Sequence, residues 1–361
     1  MEPLKLGLVG LGGMGHSHLT MEAALEEVTF TGVADVVRSA VDEVSSKYDV
    51  AGYYSYQELI DRGGCEAVLI AAPHPFHAPI ALYAIERGLH VLSEKPLAVT
   101  VREADQLIEA AKKAGVKLGV MFQTRTEPLF RRAHEILASG EIGRIYRSVM
   151  VASYWYRTQA YYDSGSWRGT WQGEGGGVLM NQSPHSLDVF IWLGGHPTRV
   201  QANVATRAHR IEVEDTAEAL IDYGHGHTGY LYTTTAEWPG DDRIELTGDR
   251  GKLVLQRGSL RLYRMSTPLQ TAIDTGAKWG KAEGEWEEVE VNPEDSGHQV
   301  VVRQFARAIR LGEPLVAVAE DGRNSLELAN AILLSGYRKK PVDLPLDRDE
   351  YDRFLSEMRS R

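Results

Sequence analysis

The chain has 361 residues, a length that predicts about two domains. Of its residues 43% are hydrophobic and 25% charged, a composition that is ordinary for a globular protein. Its net charge of −11 argues against nucleic acid or an anionic membrane as a partner, because both attract basic patches. The lone Cys65 excludes an internal disulfide framework, and neither a membrane span nor a secretory leader is evident, which together predict a cytoplasmic protein.

The first elements have the pattern of a dinucleotide-binding unit. A strand over residues 4–9 precedes a G-x-G-x-x-G loop, and a helix follows to about residue 25. Such glycines allow a tight turn, backbone approach to a pyrophosphate and close packing of helix on strand. The free N–H groups of the helix then face the phosphates. The predicted cofactor contacts of this loop are Gly10, Gly12, Gly13, Met14 and Gly15.

An acidic residue ends the second predicted strand, which covers residues 28–34. The Asp35 carboxylate would accept hydrogen bonds from the adenosine ribose and repel a 2′-phosphate, which favours NAD over NADP. Arg38 lies one helical turn further on and would meet a phosphate, so NADP stays open as a cofactor.

Strands and helices continue to alternate up to Gln123, which predicts a doubly wound parallel sheet. The loops 72–77 and 93–96 follow two of these strands and face the ligand crevice at the carboxyl edge of the sheet. Lys95 emerges there, where its ammonium group can donate a hydrogen bond to a substrate oxygen. The predicted cofactor contacts of this edge are Ala72, Pro73, His74, His77, Glu94, Lys95 and Gln123.

The pattern changes after residue 123. A helix over 128–139 is followed by closely spaced strands near 144–156, 198–207, 214–223, 228–236, 243–248, 251–256 and 259–264, which predict an antiparallel or mixed sheet. Helices near 297–311, 320–336 and 347–359 complete the chain. The predicted domains are therefore a Rossmann domain at 1–123 and an α+β domain, built on a large and mostly antiparallel sheet, at 124–361.

One segment of the second domain combines an amide, an imidazole and a carboxylate. Asn181, His185 and Asp188 are spaced by four and three residues and would share one helical face, as a proton-handling site requires. The alternative is a core helix in which the histidine and aspartate satisfy each other and the backbone.

An aromatic stretch, which includes Tyr154, Tyr156 and Trp167, suits stacking on the C–H faces of a sugar. Packing within the sheet or an interface is an equally good interpretation. Three arginines, Arg125, Arg157 and Arg168, are candidates to hold a polar or anionic substrate group. No residue cluster predicts a metal site.

Together these motifs resemble the glucose–fructose oxidoreductase, inositol dehydrogenase and rhizopine-catabolism (Gfo/Idh/MocA) family over essentially the whole chain. The matching elements are the glycine loop, Ala72-Pro73-x-x-x-His77, Glu94-Lys95-Pro96, Trp167-Arg168 and the segment from Gly175-Gly176-Gly177 to His185-x-x-Asp188. The resemblance implies a two-domain NAD(P)-dependent oxidoreductase of sugars or cyclitols, a homodimer or homotetramer, in which Trp167 and Arg168 contact the cofactor.

The resemblance also implies the catalytic roles. Lys95 is the lysine of the Glu-Lys-Pro motif, whose X–Pro bond is often cis in relatives. His185 matches the acid/base histidine, and Asn181 stands where many relatives have an aspartate, so His185 is the expected proton acceptor. The expected substrate contacts are Lys95, Arg125, Tyr154, Tyr156, Trp167, Asn181 and His185.

Three functions are compatible with this pattern. The first is net oxidation or reduction of a sugar or cyclitol with NAD. The second is a glycoside-cleaving enzyme that oxidises a hydroxyl transiently and returns the hydride. The third is a non-catalytic NAD-sensing regulator, against which the presence of Lys95 and His185 argues.

Overall fold

The computed structural model describes residues 1–22 and 24–361, which divide into two compact units. The first comprises Met1–Thr126, Gln172–Gly175 and Asp295–Leu326, and the second comprises Glu127–Trp171, Gly176–Glu294 and Glu327–Arg361. The sequence prediction places residues 172–175 and 295–326 in the second domain. The chain instead returns to the first unit there, because Val301, Val302 and Phe305 join its hydrophobic core.

Within the described residues, the first unit contains a six-stranded parallel sheet in the order β3-β2-β1-β4-β5-β6. This is the strand order of a dinucleotide-binding fold, with its topological switch between β1 and β4. It confirms the predicted Rossmann sheet. The strands are β1 (Leu4–Val9), β2 (Val28–Ala34), β3 (Ala51–Tyr53), β4 (Ala67–Ile70), β5 (His90–Ser93) and β6 (Leu118–Val120).

The crossover helices of this unit agree with the alternating pattern. The last of them has a full capping box, in which Thr100 Oγ1 accepts the Glu103 N–H and Glu103 Oε2 accepts the Thr100 N–H. The first helix ends at Glu22, earlier than the pattern indicates, and β3 and the second and third helices were not predicted. The helices are α1 (Gly13–Glu22), α2 (Arg38–Tyr48), α3 (Tyr56–Arg62), α4 (His77–Glu86) and α5 (Val101–Ala114).

The second unit is built on a larger sheet, which has nine strands in the described part of the chain. Among these strands only β7 and β10 pair in parallel, so the prediction of a mostly antiparallel sheet is confirmed. Its order is β14-β13-β12-β11-β7-β10-β9-β8-β15. The elements to β14 are α6 (Pro128–Ala138), β7 (Ile145–Ala152), α7 (Gln159–Asp163), α8 (Pro184–Gly194), β8 (Arg199–Ala205), β9 (Thr216–Gly224), β10 (His227–Thr234), β11 (Asp242–Gly248), β12 (Gly251–Gln256), β13 (Ser259–Met265), α9 (Leu269–Thr275) and β14 (Gly284–Glu288).

The chain ends with three helices and one short strand. These are α10 (His298–Leu311), α11 (Ala319–Arg338), β15 (Val342–Asp343) and α12 (Arg348–Arg359). No helix among the described residues has the length and hydropathy needed to cross a membrane.

The expectation that Asn181, His185 and Asp188 share one helix is wrong for Asn181. Helix α8 begins only at Pro184, a residue type that is well suited to the first helical position because its missing N–H needs no partner there. Asn181 therefore lies in the turn that precedes the helix, while His185 and Asp188 lie one turn apart within it.

Candidate active site

The glycine-rich loop follows β1 in the first unit and leaves its outer side open. Gly10 has a φ of 97°, and a Cβ there would lie 2.6 Å from the carbonyl of Ala71. A side chain at Gly15 would collide with the carbonyl oxygen of Gly10. At Gly12, by contrast, a Cβ would meet nothing within 4 Å. The loop is thus tightly packed beneath and open above, beside the N–H groups at the start of α1, as a pyrophosphate site requires.

Asp35, which the sequence predicts as a ribose contact, also supports this loop. Its Oδ2 accepts the Leu11 N–H at 2.7 Å and its Oδ1 accepts the Val37 N–H at 2.8 Å. Each carboxylate oxygen has a further lone pair, so the group can still accept from ribose hydroxyls. Arg38 opens α2 and lies 4.3 Å from the centre of the Tyr54 ring.

The loop after β4 places both predicted histidines at the carboxyl edge of the sheet. His77 is buried, with Nε2 2.6 Å from the Ala72 carbonyl oxygen and Nδ1 2.7 Å from that of Pro96. Burial lowers the pKa of His77, while the hydrogen bonds to the two backbone carbonyls oppose that shift. His74 has its Nδ1 3.2 Å from the Glu174 carbonyl oxygen. Cofactor contact by either histidine stays a prediction.

Lys95 lies where the sequence predicts it, directly after β5 at the carboxyl edge. The bond between Lys95 and Pro96 is cis, and the lysine is half-buried. The Lys95 N–H donates to Glu94 Oε2 at 3.2 Å, while the Glu94 N–H donates to the Ile70 carbonyl at 2.8 Å. The backbone on which Lys95 stands is therefore tied to the neighbouring strand and to the Glu94 carboxylate.

A buried ionic cluster, which sequence reasoning missed, lies beneath the lysine. The imidazole of His18 joins two carboxylates, with Nδ1 2.8 Å from Glu22 Oε1 and Nε2 3.0 Å from Glu94 Oε1. His298 stacks edge-on against His18 at 5.5 Å. The only available signal is the spacing of four residues between His18 and Glu22 on one helix, and nothing in the sequence connects either to Glu94.

The charges in this cluster follow from its partners. Burial alone would lower the pKa of His18, but the hydrogen bonds that its ring donates to the Glu22 and Glu94 carboxylates raise it to about 9. Burial likewise opposes ionisation of Glu94, but His18 lowers that pKa to about 2. Burial raises the pKa of Glu22. At neutral pH, a cationic His18 therefore holds the Glu94 carboxylate at a fixed place beside Lys95.

The remaining candidates of this unit follow β6. Gln123 begins a short 3₁₀ turn, Gln123–Thr126, and is half-buried. Arg125 is buried in the same turn, and its Nη1 lies 3.0 Å from Asp321 Oδ2. This ion pair compensates the charge of Arg125, which argues for a structural role in addition to the predicted substrate contact.

In the second unit, a buried carboxylate holds the glycine segment that leads to α8. Glu214 accepts the Gly177 N–H at 2.9 Å and the Leu179 N–H at 3.1 Å, and its carbonyl oxygen accepts the Val178 N–H. A Cβ on Gly177 would collide with the Glu214 carbonyl oxygen. Glu214 thus explains why glycine is needed there, although no sequence motif points to this residue.

The neighbouring Asp215 fixes a second loop in the same way. It accepts the backbone N–H groups of Arg207, Ala208 and His209 at 2.8, 2.8 and 3.1 Å. Burial raises the pKa of Asp215, but these backbone donors outweigh burial and the net shift is downward. His209 in turn lies 2.9 Å from the carbonyl oxygen of Arg157.

One predicted catalytic residue of this unit, Asn181, meets a tyrosine hydroxyl. Asn181 Nδ2 donates to Tyr161 Oη at 3.5 Å, and Gln182 Nε2 donates to the same oxygen at 3.1 Å. His185 and Asp188 are both buried at the start of α8. Tyr161 belongs to the aromatic stretch, and no sequence pattern indicates its contact with Asn181.

The aromatic stretch presents both stacked and exposed rings. Tyr154 is 39% exposed, with its hydroxyl 3.4 Å from Ser186 Oγ. Tyr156 is 45% exposed and lies 5.9 Å from Trp238, a residue of distant sequence position that is 78% exposed. Arg168 lies 4.3 Å from the centre of the Trp167 ring, and its Nη1 donates to Tyr161 Oη at 2.7 Å.

Family models match both the first and the second part of this chain. Residues 4–122 match the family model described as an oxidoreductase family with an NAD-binding Rossmann fold. Residues 130–254 match the GFO/IDH/MocA C-terminal domain.

Similar proteins cover almost the whole chain. A scyllo-inositol 2-dehydrogenase (NADP(+)) of Bacillus subtilis is 25% identical over 95% of this chain and 97% of its own length. A myo-inositol 2-dehydrogenase of Thermotoga maritima is 23% identical over 94% and 98%. The crystal structure of a WlbA dehydrogenase from Bordetella pertussis, in complex with NADH and UDP-GlcNAcA, is 27% identical with a TM-score of 0.81 and covers 96% of this chain and 100% of that one.

Proposed function

This chain belongs to the GFO/IDH/MocA oxidoreductase family, and we propose that it transfers hydride between NAD and a hydroxyl-bearing carbon of a sugar, sugar derivative or cyclitol. Membership confirms the predicted family, the enzyme class and the nicotinamide cofactor. The named activities of relatives on inositols and the sugar nucleotide of a neighbouring structure support the substrate class.

The residues of the first unit fit a dinucleotide. The open space over Gly12 leaves room for the pyrophosphate, and the N–H groups at the start of α1 can donate to it. The Asp35 carboxylate can accept hydrogen bonds from the ribose. The bound nicotinamide supplies the hydride acceptor. The Asp35 carboxylate favours NAD over NADP, although one relative is named for NADP.

The observation that carries the proposal is the position of Lys95. It follows β5, and the glycine loop follows β1 of the same parallel sheet, so both lie at the carboxyl edge of that sheet. Lys95 donates a hydrogen bond to the substrate oxygen and stabilises the negative charge that develops on it. His185 takes the hydroxyl proton as general base, and Asn181 orients the same oxygen. Trp167 and Arg168 are proposed to contact the cofactor.

The direct test is a panel of sugars, cyclitols and glycosides with NAD and with NADP, followed by the absorbance of the reduced nicotinamide. Turnover with net NADH formation is expected for at least one sugar or cyclitol. Cleavage of a glycosidic bond without accumulated NADH would contradict a net dehydrogenase and favour a redox-neutral glycoside-cleaving enzyme.

The matched variants are Lys95→Ala and Lys117→Ala. Lys95→Ala should lower kcat by roughly 10²- to 10⁴-fold, as loss of a group acting on the reacting oxygen does. Lys117 is exposed and precedes β6, at the opposite edge of the sheet, so its replacement should leave kcat unchanged. Equal activity of the two variants would overturn the catalytic role of Lys95.

A further inference from the structure

Two arginines of the second unit flank one aromatic ring without a carboxylate partner. The guanidinium carbons of Arg157 and Arg168 lie 4.9 and 4.4 Å from the centre of the Tyr161 ring. Both side chains are half-buried, and neither forms an ion pair within residues 1–22 and 24–361. A partly desolvated charge without a counter-ion is unfavourable, and stacking on a ring compensates it only in part.

Many other arginines of the same unit pair with a carboxylate. They reach glutamate or aspartate even where they are well exposed, as in the pairs Arg131–Glu294, Arg147–Glu245, Arg199–Asp343, Arg264–Glu141 and Arg338–Glu357. In a chain of net charge −11, carboxylates are abundant. Among the residues that the structure describes, Arg157 and Arg168 lack such a partner although both are half-buried, and both lie against the same aromatic ring.

The acidic groups of the adjoining loops are occupied by other donors. Asp163 accepts the amide of Gln159 at 2.9 Å, and Glu212 accepts the Trp171 N–H at 3.1 Å. Asp215 is taken up by three backbone N–H groups and His209. These carboxylates thus have other donors, and among the described residues none of them forms an ion pair with Arg157 or Arg168.

Arg157 also keeps hydrogen-bonding capacity. Its Nη1 donates to the Tyr156 carbonyl at 3.1 Å, and Nε has no acceptor among the described residues. The guanidinium carbon lies 5.4 Å from the centre of the Trp155 ring in addition to its contact with Tyr161. The rings and one carbonyl orient the group, and the remaining N–H donors can bind an oxyanion as a fork.

The cluster is connected to the proposed catalytic segment. Tyr161 Oη accepts from Arg168 Nη1 on one side and from Asn181 Nδ2 on the other. We propose that Arg157, with the charge of Arg168 beside it, binds a carboxylate or phosphate group of the substrate, so that the enzyme prefers anionic sugars over their neutral counterparts. This inference rests on the proposed function and narrows its substrate class.

The test compares neutral sugars with the matching uronic acids and sugar phosphates, such as glucose with glucuronate and glucose 6-phosphate. The measured quantity is the ratio of kcat/KM for the anionic and the neutral member, at saturating NAD. The wild-type enzyme should favour an anionic member, and Arg157→Gln should lower the ratio by roughly 10- to 100-fold, since hydrogen bonds to charged groups are strong. Arg157→Lys, which keeps the charge and loses the fork, should give an intermediate ratio.

The exposed Arg250 is the matched control, because Arg250→Gln changes the net charge equally and lies in the turn between β11 and β12. Its ratio should equal that of the wild type. An unchanged ratio of kcat/KM in Arg157→Gln would overturn the inference and assign the cluster to packing. An equal rise of the KM for NAD with both substrates would also overturn it and assign the cluster to the cofactor phosphates. Turnover of neutral sugars would then still support the proposed function, whereas turnover of no panel member would contradict that function itself.

Discussion

The two units position their candidate functional residues by different means. In the first unit, the glycine loop, Asp35, the loop 72–77 and Lys95 each follow the carboxyl end of a parallel strand, so sheet topology brings them to one edge. In the second unit, residues between β7 and α8 lie mostly outside regular elements. There, and in the loop between β8 and β9, buried carboxylates accept hydrogen bonds from backbone N–H groups and hold the chain in place.

The two units should therefore be sensitive to different substitutions. Replacing a carboxylate that accepts hydrogen bonds from several backbone N–H groups is costly, because it leaves all of these buried N–H groups unsatisfied. A strand-edge residue depends on a sheet that many other residues stabilise together. The buried ionic cluster of His18 is the exception in the first unit, since it ties α1 to the residue before Lys95.

The largest expected effect on stability is that of Glu214→Ala. The change removes the acceptor for the Gly177 and Leu179 N–H groups, and each buried donor without a partner costs about 1–3 kcal/mol. The free energy of unfolding should fall by about 4 kcal/mol in chemical denaturation. Glu283→Ala, at an exposed position of the same unit, should change it by less than about 0.5 kcal/mol. Equal effects of the two changes would show that Glu214 does not hold the loop.

His18→Leu should destabilise the protein by about 3 kcal/mol, because it leaves the Glu94 carboxylate buried without its cation. Both the unfolding free energy and kcat should fall, since Glu94 accepts the Lys95 N–H. The exposed His196 provides the control variant His196→Leu, which removes a histidine from outside any buried pair. Unchanged stability of His18→Leu would contradict a structural role for the cluster.

The same cluster predicts how stability depends on pH. The folded pKa of His18 is raised from 6.5 to about 9, so its contribution is complete below pH 6.5 and is lost as the pH rises through 9. The folded pKa of Glu94 is lowered from 4.5 to about 2, so its contribution is complete above pH 4.5 and is lost as the pH falls towards 2. The raised pKa of Glu22 has the opposite sign and removes stability as the pH rises from 4.5 through its folded pKa. The stability difference between wild type and His18→Leu should therefore be largest between pH 4.5 and 6.5, and a difference that grows above pH 7 would contradict this assignment.

The same comparison explains how much the sequence could predict. Strand–helix alternation and the glycine spacing place Gly10, Asp35 and Lys95 at the sheet edge, because the carboxyl ends of parallel strands must meet there. The contact between His18 and Glu94 joins residues 76 positions apart, and no local pattern reports such a pair. Spacing also does not tell where a helix begins, which is why Asn181 was wrongly placed on the helix of His185.

Asp35→Ser tests whether the strand-edge carboxylate selects the cofactor. Loss of the charge removes the repulsion of a 2′-phosphate and the acceptor for ribose hydroxyls. The ratio of kcat/KM with NADP to that with NAD should rise by roughly 10- to 100-fold, equivalent to about 1.4–2.8 kcal/mol. Glu43→Ser, an exposed change within α2, should leave the ratio unchanged. A wild-type enzyme that already prefers NADP would contradict the role given to Asp35.

The smallest expected effect concerns the local cap at the start of α5. Thr100 Oγ1 accepts the Glu103 N–H at 3.2 Å, and Glu103 Oε2 accepts the Thr100 N–H at 2.9 Å. Thr100→Ala removes the first bond only and should cost about 1 kcal/mol in chemical denaturation, while Thr100→Ser keeps the acceptor and should cost less. Because the cap lies in the loop that leads from Lys95 to α5, kcat should change far less than in Lys95→Ala. A cost as large as that of Glu214→Ala would mean that this first-unit loop, like the second unit, depends on single buried polar contacts rather than on the sheet.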